Sequence, residues 1–161
     1  MRIYLSAPLF TQVQRQWNRR LAAGLQERIA GAEVILPQDY KFGQSYNKPK
    51  DFKRIFKACV EGVRQADVMV AVLDGADVDS GTAMEMGIAY ERGIPIVGVR
   101  TDYRESQDRG VNLAIAGACT ELLREMSFGE DMEQLLKDLA GKVVAALKKS
   151  DKRTQRKASQ A

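Results

Sequence analysis

"DVMVAVLDGADVDSGTAMEMGIAYERGIPIVGVRT", residues 67–101, decides the architecture. Val68 to Leu73 is unbroken apolar sequence, as expected of a parallel strand buried on both faces. Asp74 and Gly75 stop it. Residues 82–93 then carry a helix that ends at Gly93, and "PIVGVRT" reads as another strand. Strand, helix and strand in this order form a βαβ unit.

The same alternation extends outward. "RIYLSAP" near the start is a short strand. Residues 11–30 have helical spacing, with Val13, Trp17, Leu21, Leu25 and Ile29 on one face. "AEVILP" is a strand closed by Pro37, and 52–65 is a helix with Phe52, Ile55, Phe56, Cys59 and Val63 as its apolar stripe. "VNLAIAGACTELL", 111–123, holds a helix or a strand that periodicity does not separate. Residues 129–149 form a last amphipathic helix. This alternation predicts an α/β fold: a doubly wound parallel sheet of about five strands with helices on both faces, as one domain over 1–147. Ligands of such sheets bind beyond the carboxyl ends of the strands. Loops carrying Ser6–Phe10 and Gln38–Asn47 belong on that edge, so Phe10 and Gln38 are candidate substrate contacts. Tyr40, Phe42 and Tyr46 are candidates to stack on a base.

Composition narrows the chemistry. The 161 residues include no histidine and two cysteines, Cys59 and Cys119, which lack metal-ligand spacing. Ser-His-Asp and Cys-His catalysis are excluded, no metal site is expected, and acid–base work falls to Asp, Glu, Lys, Tyr or water. No apolar run approaches the ~20 residues of a membrane span. "MRIYLSAPLF" holds no signal-like apolar region, so a cytoplasmic protein is expected. The net charge of +4 comes from "KKSDKRTQRKASQA" at 148–161, which has six Lys/Arg and one Asp. A flexible, solvated tail is expected there rather than a nucleic-acid-binding arm.

Asp74, Asp77, Asp79 and Glu85 crowd the end of the central strand. "TAME" fits a capping box, with Thr82 as N-cap and Glu85 reaching back. Asp79 and Gly81 suit a turn where the backbone passes close to a ligand. Several carboxylates on one strand edge repel, and a cation such as Mg²⁺ or a polyhydroxyl ligand would offset that repulsion. There is no GxxxxGK[ST] phosphate loop. In sugar chemistry, a glutamate can attack an anomeric carbon and stabilise an oxocarbenium-like transition state.

"YLSAPLF" near the start, "ADVMVAVLDGADVDSGTAMEMGIAYERGIPIVGVRTD" in the middle and "NLAI" at 112–115 together resemble the nucleoside 2-deoxyribosyltransferase family, over roughly residues 3–147. The resemblance implies a flavodoxin-like sheet and no cofactor. Its pattern D-x-G-x-x-x-E-x-G falls on Asp79 to Gly87, making Glu85 the nucleophile that carries a covalent 2-deoxyribosyl ester. It further implies that Tyr4 orients Glu85 and that Asp79 binds the sugar 5′-hydroxyl. Asn112 matches an asparagine that reaches a neighbouring subunit's site, which implies a homo-oligomer. One departure stands out: Cys59 aligns with an aspartate that helps handle the base proton. Proton delivery is then left to Asp74, Asp77 or water.

The expected partners are 2′-deoxynucleosides and free nucleobases, with no membrane and no nucleic acid. The expected reaction is transfer of 2-deoxyribose between bases. The rivals are hydrolysis of the same intermediate by water and a binding module without turnover.

Overall fold

The computed structural model describes residues 1–40, 49–105, 110–125 and 131–158. Among the described residues, five strands and five helices alternate: β1 (Arg2–Ser6), α1 (Gln12–Arg28), β2 (Glu33–Ile35), a 3-10 turn (Pro37–Asp39), α2 (Pro49–Arg64), β3 (Val68–Val72), α3 (Ser80–Glu91), β4 (Ile96–Arg100), α4 (Leu113–Ala118), β5 (Glu121–Arg124) and α5 (Met132–Ala158). The 111–123 stretch resolves into both alternatives, α4 and then β5.

All strand pairs are parallel, in the order β2-β1-β3-β4-β5. This is the flavodoxin-like order, and its direction reverses between β1 and β3. Parallel crossovers are right-handed, so reversing direction moves the connecting helix to the other face. Accordingly, α1 packs on one face and α2 on the other. Ile3, Leu5, Val70 and Val72 meet Leu21, Leu25, Leu139 and Val143 on the α1/α5 side. Tyr4, Met69, Ala71 and Leu73 meet Val63, Met86 and Ala89 on the α2/α3 side. Every residue of β3 and β4 is buried, as continuous apolar runs require.

Two expectations are corrected. The apolar stripe of α2 narrows, because Phe52 and Phe56 are exposed while Val63 is fully buried. The last helix runs to Ala158, past the end expected at 149. Residues 150–158 contain neither Gly nor Pro, so nothing in the local sequence stops it.

Both sheet borders carry charge. Glu33 at the start of β2 pairs with Arg2 at 3.3 Å. Glu121 at the start of β5 pairs with Lys142 at 3.2 Å and also with Lys149, both from α5.

A polar latch ties the carboxyl ends of β3 and β4. Arg100 is 1% exposed, and its guanidinium donates to the carbonyls of Leu73 (2.7 Å), Gly75 (3.2 Å) and Arg104 (2.9 Å). In return, Asp74 accepts from the Thr101 amide (2.6 Å), the Thr101 hydroxyl (2.6 Å) and the Asp102 amide (3.0 Å). Gly110 packs against the guanidinium with φ +85°, and a Cβ there would lie 2.9 Å from Arg100 Nε. Backbone dihedral and space both require glycine at this position.

Candidate active site

Helix α3 begins at Ser80, earlier than "TAME" suggests. Asp79 is its N-cap and accepts from the Thr82 amide at 3.0 Å. The capping box centred on Thr82 is therefore corrected. Thr82 falls inside the first turn, and Glu85 moves to the second turn, beyond reach of a capping role. Its carboxylate is free to turn toward the sheet.

There it meets two hydroxyls from one strand. Tyr4 and Ser6 are alternate residues of β1, so their side chains leave the same face. Tyr4 donates to Glu85 Oε1 at 2.9 Å and Ser6 to Oε2 at 2.5 Å. Both donors are 0% exposed. The three residues meet on the α2/α3 side of the carboxyl edge of β1, beside the reversal in strand order.

Helix α2 supplies the third wall. The Cys59 thiol lies beside Tyr4 and Glu85. The Tyr40 hydroxyl donates to the Ala58 carbonyl at 3.4 Å. Partial burial pushes the Glu85 carboxyl upward, while Ser6, Tyr4 and Cys59 pull it back down and the Asp79 charge adds to the rise. Burial, then the Glu85 charge, pushes the Tyr4 phenol far up. Tyr40 is pushed up to about 12 by burial and by its neighbours Cys59 and Glu85. The Cys59 thiol is raised by burial and then by Glu85. All three groups therefore stay protonated at neutral pH, and of them Tyr4 donates to the carboxylate.

Gly62 makes this convergence possible. A Cβ there would lie 2.7 Å from Tyr4 Cε2 and overlap the Tyr40 hydroxyl. Gly62→Ala is expected to displace both tyrosines. Overpacking of this kind costs about 1–3 kcal/mol, so the melting temperature should fall by several degrees and activity should fall with it. A variant with wild-type melting and turnover would show that the wall yields freely.

The other candidates disperse. Asp74 belongs to the latch, at a cleft of about 380 Å³ bordered by Trp17 and Val72 on the α1 side. Asp77 accepts from the amide of Val78 at 2.8 Å. Gly81 lies beside the cap, where an added Cβ would stand 3.0 Å from Asp79 Oδ2. Gln38 donates to the Arg15 carbonyl (3.0 Å) and accepts from Asn18 (3.1 Å), which commits both ends of its amide to α1. Phe10 is 72% exposed. Asn112 is exposed and caps α4, accepting from the Ala114 amide at 2.9 Å. Phe42 and Tyr46 lie outside the described residues. Among the described residues, no cluster of three or more His, Cys, Asp or Glu is placed to hold a metal ion. Nor is any helix among them long and apolar enough to cross a membrane.

The nucleoside 2-deoxyribosyltransferase model matches residues 3–151. The chain belongs to that family. It is an enzyme of the nucleoside 2-deoxyribosyltransferase type. No curated protein matches it. Among solved structures, a conserved protein from Enterococcus faecalis V583 is 26% identical, with a TM-score of 0.72 over 88% of this chain and 98% of its own. A 2-deoxyribosyltransferase from Bacillus psychrosaccharolyticus is 22% identical, with a TM-score of 0.67 over 84% of this chain and 90% of its own. The CMP N-glycosidase BcmB from Clostridium botulinum is 18% identical, with a TM-score of 0.57 over 86% of this chain and 98% of its own. The last two likenesses show a shared fold.

Within this deoxyribosyltransferase-family fold, Tyr4 bonds to Glu85, and the Asp79 charge and the Cys59 thiol both bear on that carboxylate. Ser6 was missed as a site residue. Its period-two spacing from Tyr4 was a usable signal, since any strand that aims Tyr4 at Glu85 aims Ser6 the same way.

Proposed function

We propose that this enzyme transfers 2-deoxyribose between nucleobases through a covalent ester on Glu85. One observation carries the reading: a partly buried carboxylate has both oxygens held by hydroxyls, at the ligand-binding edge of the sheet. A Glu85 oxygen bonds to C1′ of a 2′-deoxynucleoside. The C1′–N bond breaks, and its electron pair leaves with the base, which takes up a proton. A nitrogen of a second base then attacks C1′. The ester C–O bond breaks, Glu85 regains its charge, and the incoming base loses its proton. Two inversions give net retention.

Asp79 supports a substrate with a free 5′-hydroxyl. Its carboxylate accepts from a hydroxyl and repels a phosphate, increasingly so as water is excluded. Asn112, exposed at the start of α4, is proposed to serve the site of a neighbouring copy in a homo-oligomer. Deoxynucleosides and free bases as substrates and products suit a cytoplasmic salvage reaction.

The test is incubation with deoxyinosine, with and without adenine, followed by chromatography. Deoxyadenosine and hypoxanthine should accumulate when adenine is present. Free deoxyribose formed equally fast without adenine would move the enzyme to hydrolysis. No consumption of deoxyinosine in either arm would overturn the reading.

A further inference from the structure

We propose that Ser6 is a catalytic residue: its hydroxyl holds Glu85 as an anion in the free enzyme and stabilises it as the leaving group when the ester breaks. This rests on Glu85 being the nucleophile. Ser6 ends β1, is 0% exposed, and donates to Oε2 at 2.5 Å. Tyr4 holds the other oxygen at 2.9 Å. A serine hydroxyl at a strand end ordinarily finds a backbone carbonyl or water; this one is directed at the reacting group.

The two half-reactions ask opposite things of such a donor. In the first, a hydrogen bond on the carboxylate lowers its nucleophilicity. In the second, the carboxylate departs, and the same hydrogen bond strengthens as negative charge returns to the oxygen. Ser6 thus favours release of the sugar over its retention on the enzyme, which a transferase needs because its intermediate must be handed on. In the resting state it also opposes protonation of Glu85, acting more strongly than Tyr4 in this respect.

The titratable groups facing Glu85 from its neighbours are Tyr4 of β1, Tyr40 after the 3-10 turn, Cys59 of α2 and Asp79 at the cap of α3. The first three are pushed upward and stay neutral through the working range. The acid limb of the rate profile therefore reports on Glu85.

The experiment compares wild type, Ser6→Ala and Ser6→Cys with deoxyinosine and adenine from pH 5 to 9, using both steady-state and rapid-quench sampling. Ser6→Ala should lose about tenfold or more in deoxyadenosine formation, the loss of a hydrogen bond to a charged group. Its acid limb should move to higher pH. At pH 8 it should release a first equivalent of hypoxanthine rapidly, followed by slow transfer, because the ester accumulates. Ser6→Cys, a weaker donor, should fall between. Melting curves confirm that each variant is folded. A parallel fall at every pH with no burst, or an unchanged profile, would mean that Ser6 only packs. Failure of the wild type itself to exchange bases would instead overturn the Glu85 reading, and this proposal with it.

Discussion

Glu85→Ala should abolish base exchange, by a factor on the order of 10⁴ or more, as expected when a covalent nucleophile is deleted. The fold should not suffer. Glu85 does not cap α3, since Asp79 does. Its carboxyl is raised mainly by burial, which sets the sign of its effect on stability. A group whose folded value is raised supports the fold below its ordinary value, 4.5 here, and that support is lost as the pH climbs through the folded value. At pH 7 to 8 the charged carboxylate is therefore a burden, and its removal offsets the loss of an acceptor for the buried Tyr4 and Ser6 hydroxyls; the alanine variant should melt within about a few degrees of wild type, at a temperature less dependent on pH. Thermal melts at pH 5 and 8, beside a chromatographic exchange assay, check both halves. Near-normal activity would remove Glu85 from the chemistry; a collapse in melting temperature would make it structural.

Asp74→Ala should show the reverse pattern. Asp74 accepts three hydrogen bonds across the gap between β3 and β4, two of them from backbone amides. Its loss leaves those donors without acceptors and loosens the loop around Arg100. The expected cost is roughly 2–4 kcal/mol, or about 5–15 °C in melting temperature for a chain of this size. Below the melting transition, KM should change little. Unaltered stability with a large rise in KM would return Asp74 to the role of substrate contact that the sequence suggested.

The difference between these two acids explains what was legible beforehand. The strands were readable because β3 and β4 are buried on both faces and so carry unbroken apolar runs. Alternation with helices then led to a doubly wound sheet. Tyr4, Asp79 and Glu85 were found through the spacing of a family pattern. Local chemistry alone pointed elsewhere: "DSGT" and "TAME" both look like helix starts, and only packing selects the first. Asp74, Asp77, Asp79 and Glu85 looked like one acidic cluster because they are close in sequence. The chain divides them by face and by partner: Asp77 and Asp79 bond within their own turn, whereas the partners of Asp74 and Glu85 are remote. Thr101 follows the end of the next strand, and Ser6 lies on β1, at the far end of the sequence interval from Glu85. Gln38 shows the same limit: nothing in a polar loop foretells that its amide docks on α1.

The charged borders of the sheet bear on how one molecule meets another. An uncapped strand offers its free amides and carbonyls to any passing chain, and apolar borders invite annealing into aggregates. Here β2 is only three residues long, and each border strand begins with a carboxylate already bound to a lysine or arginine. A strand added alongside would have to strip water from those ions. Strand addition at either border is thereby disfavoured.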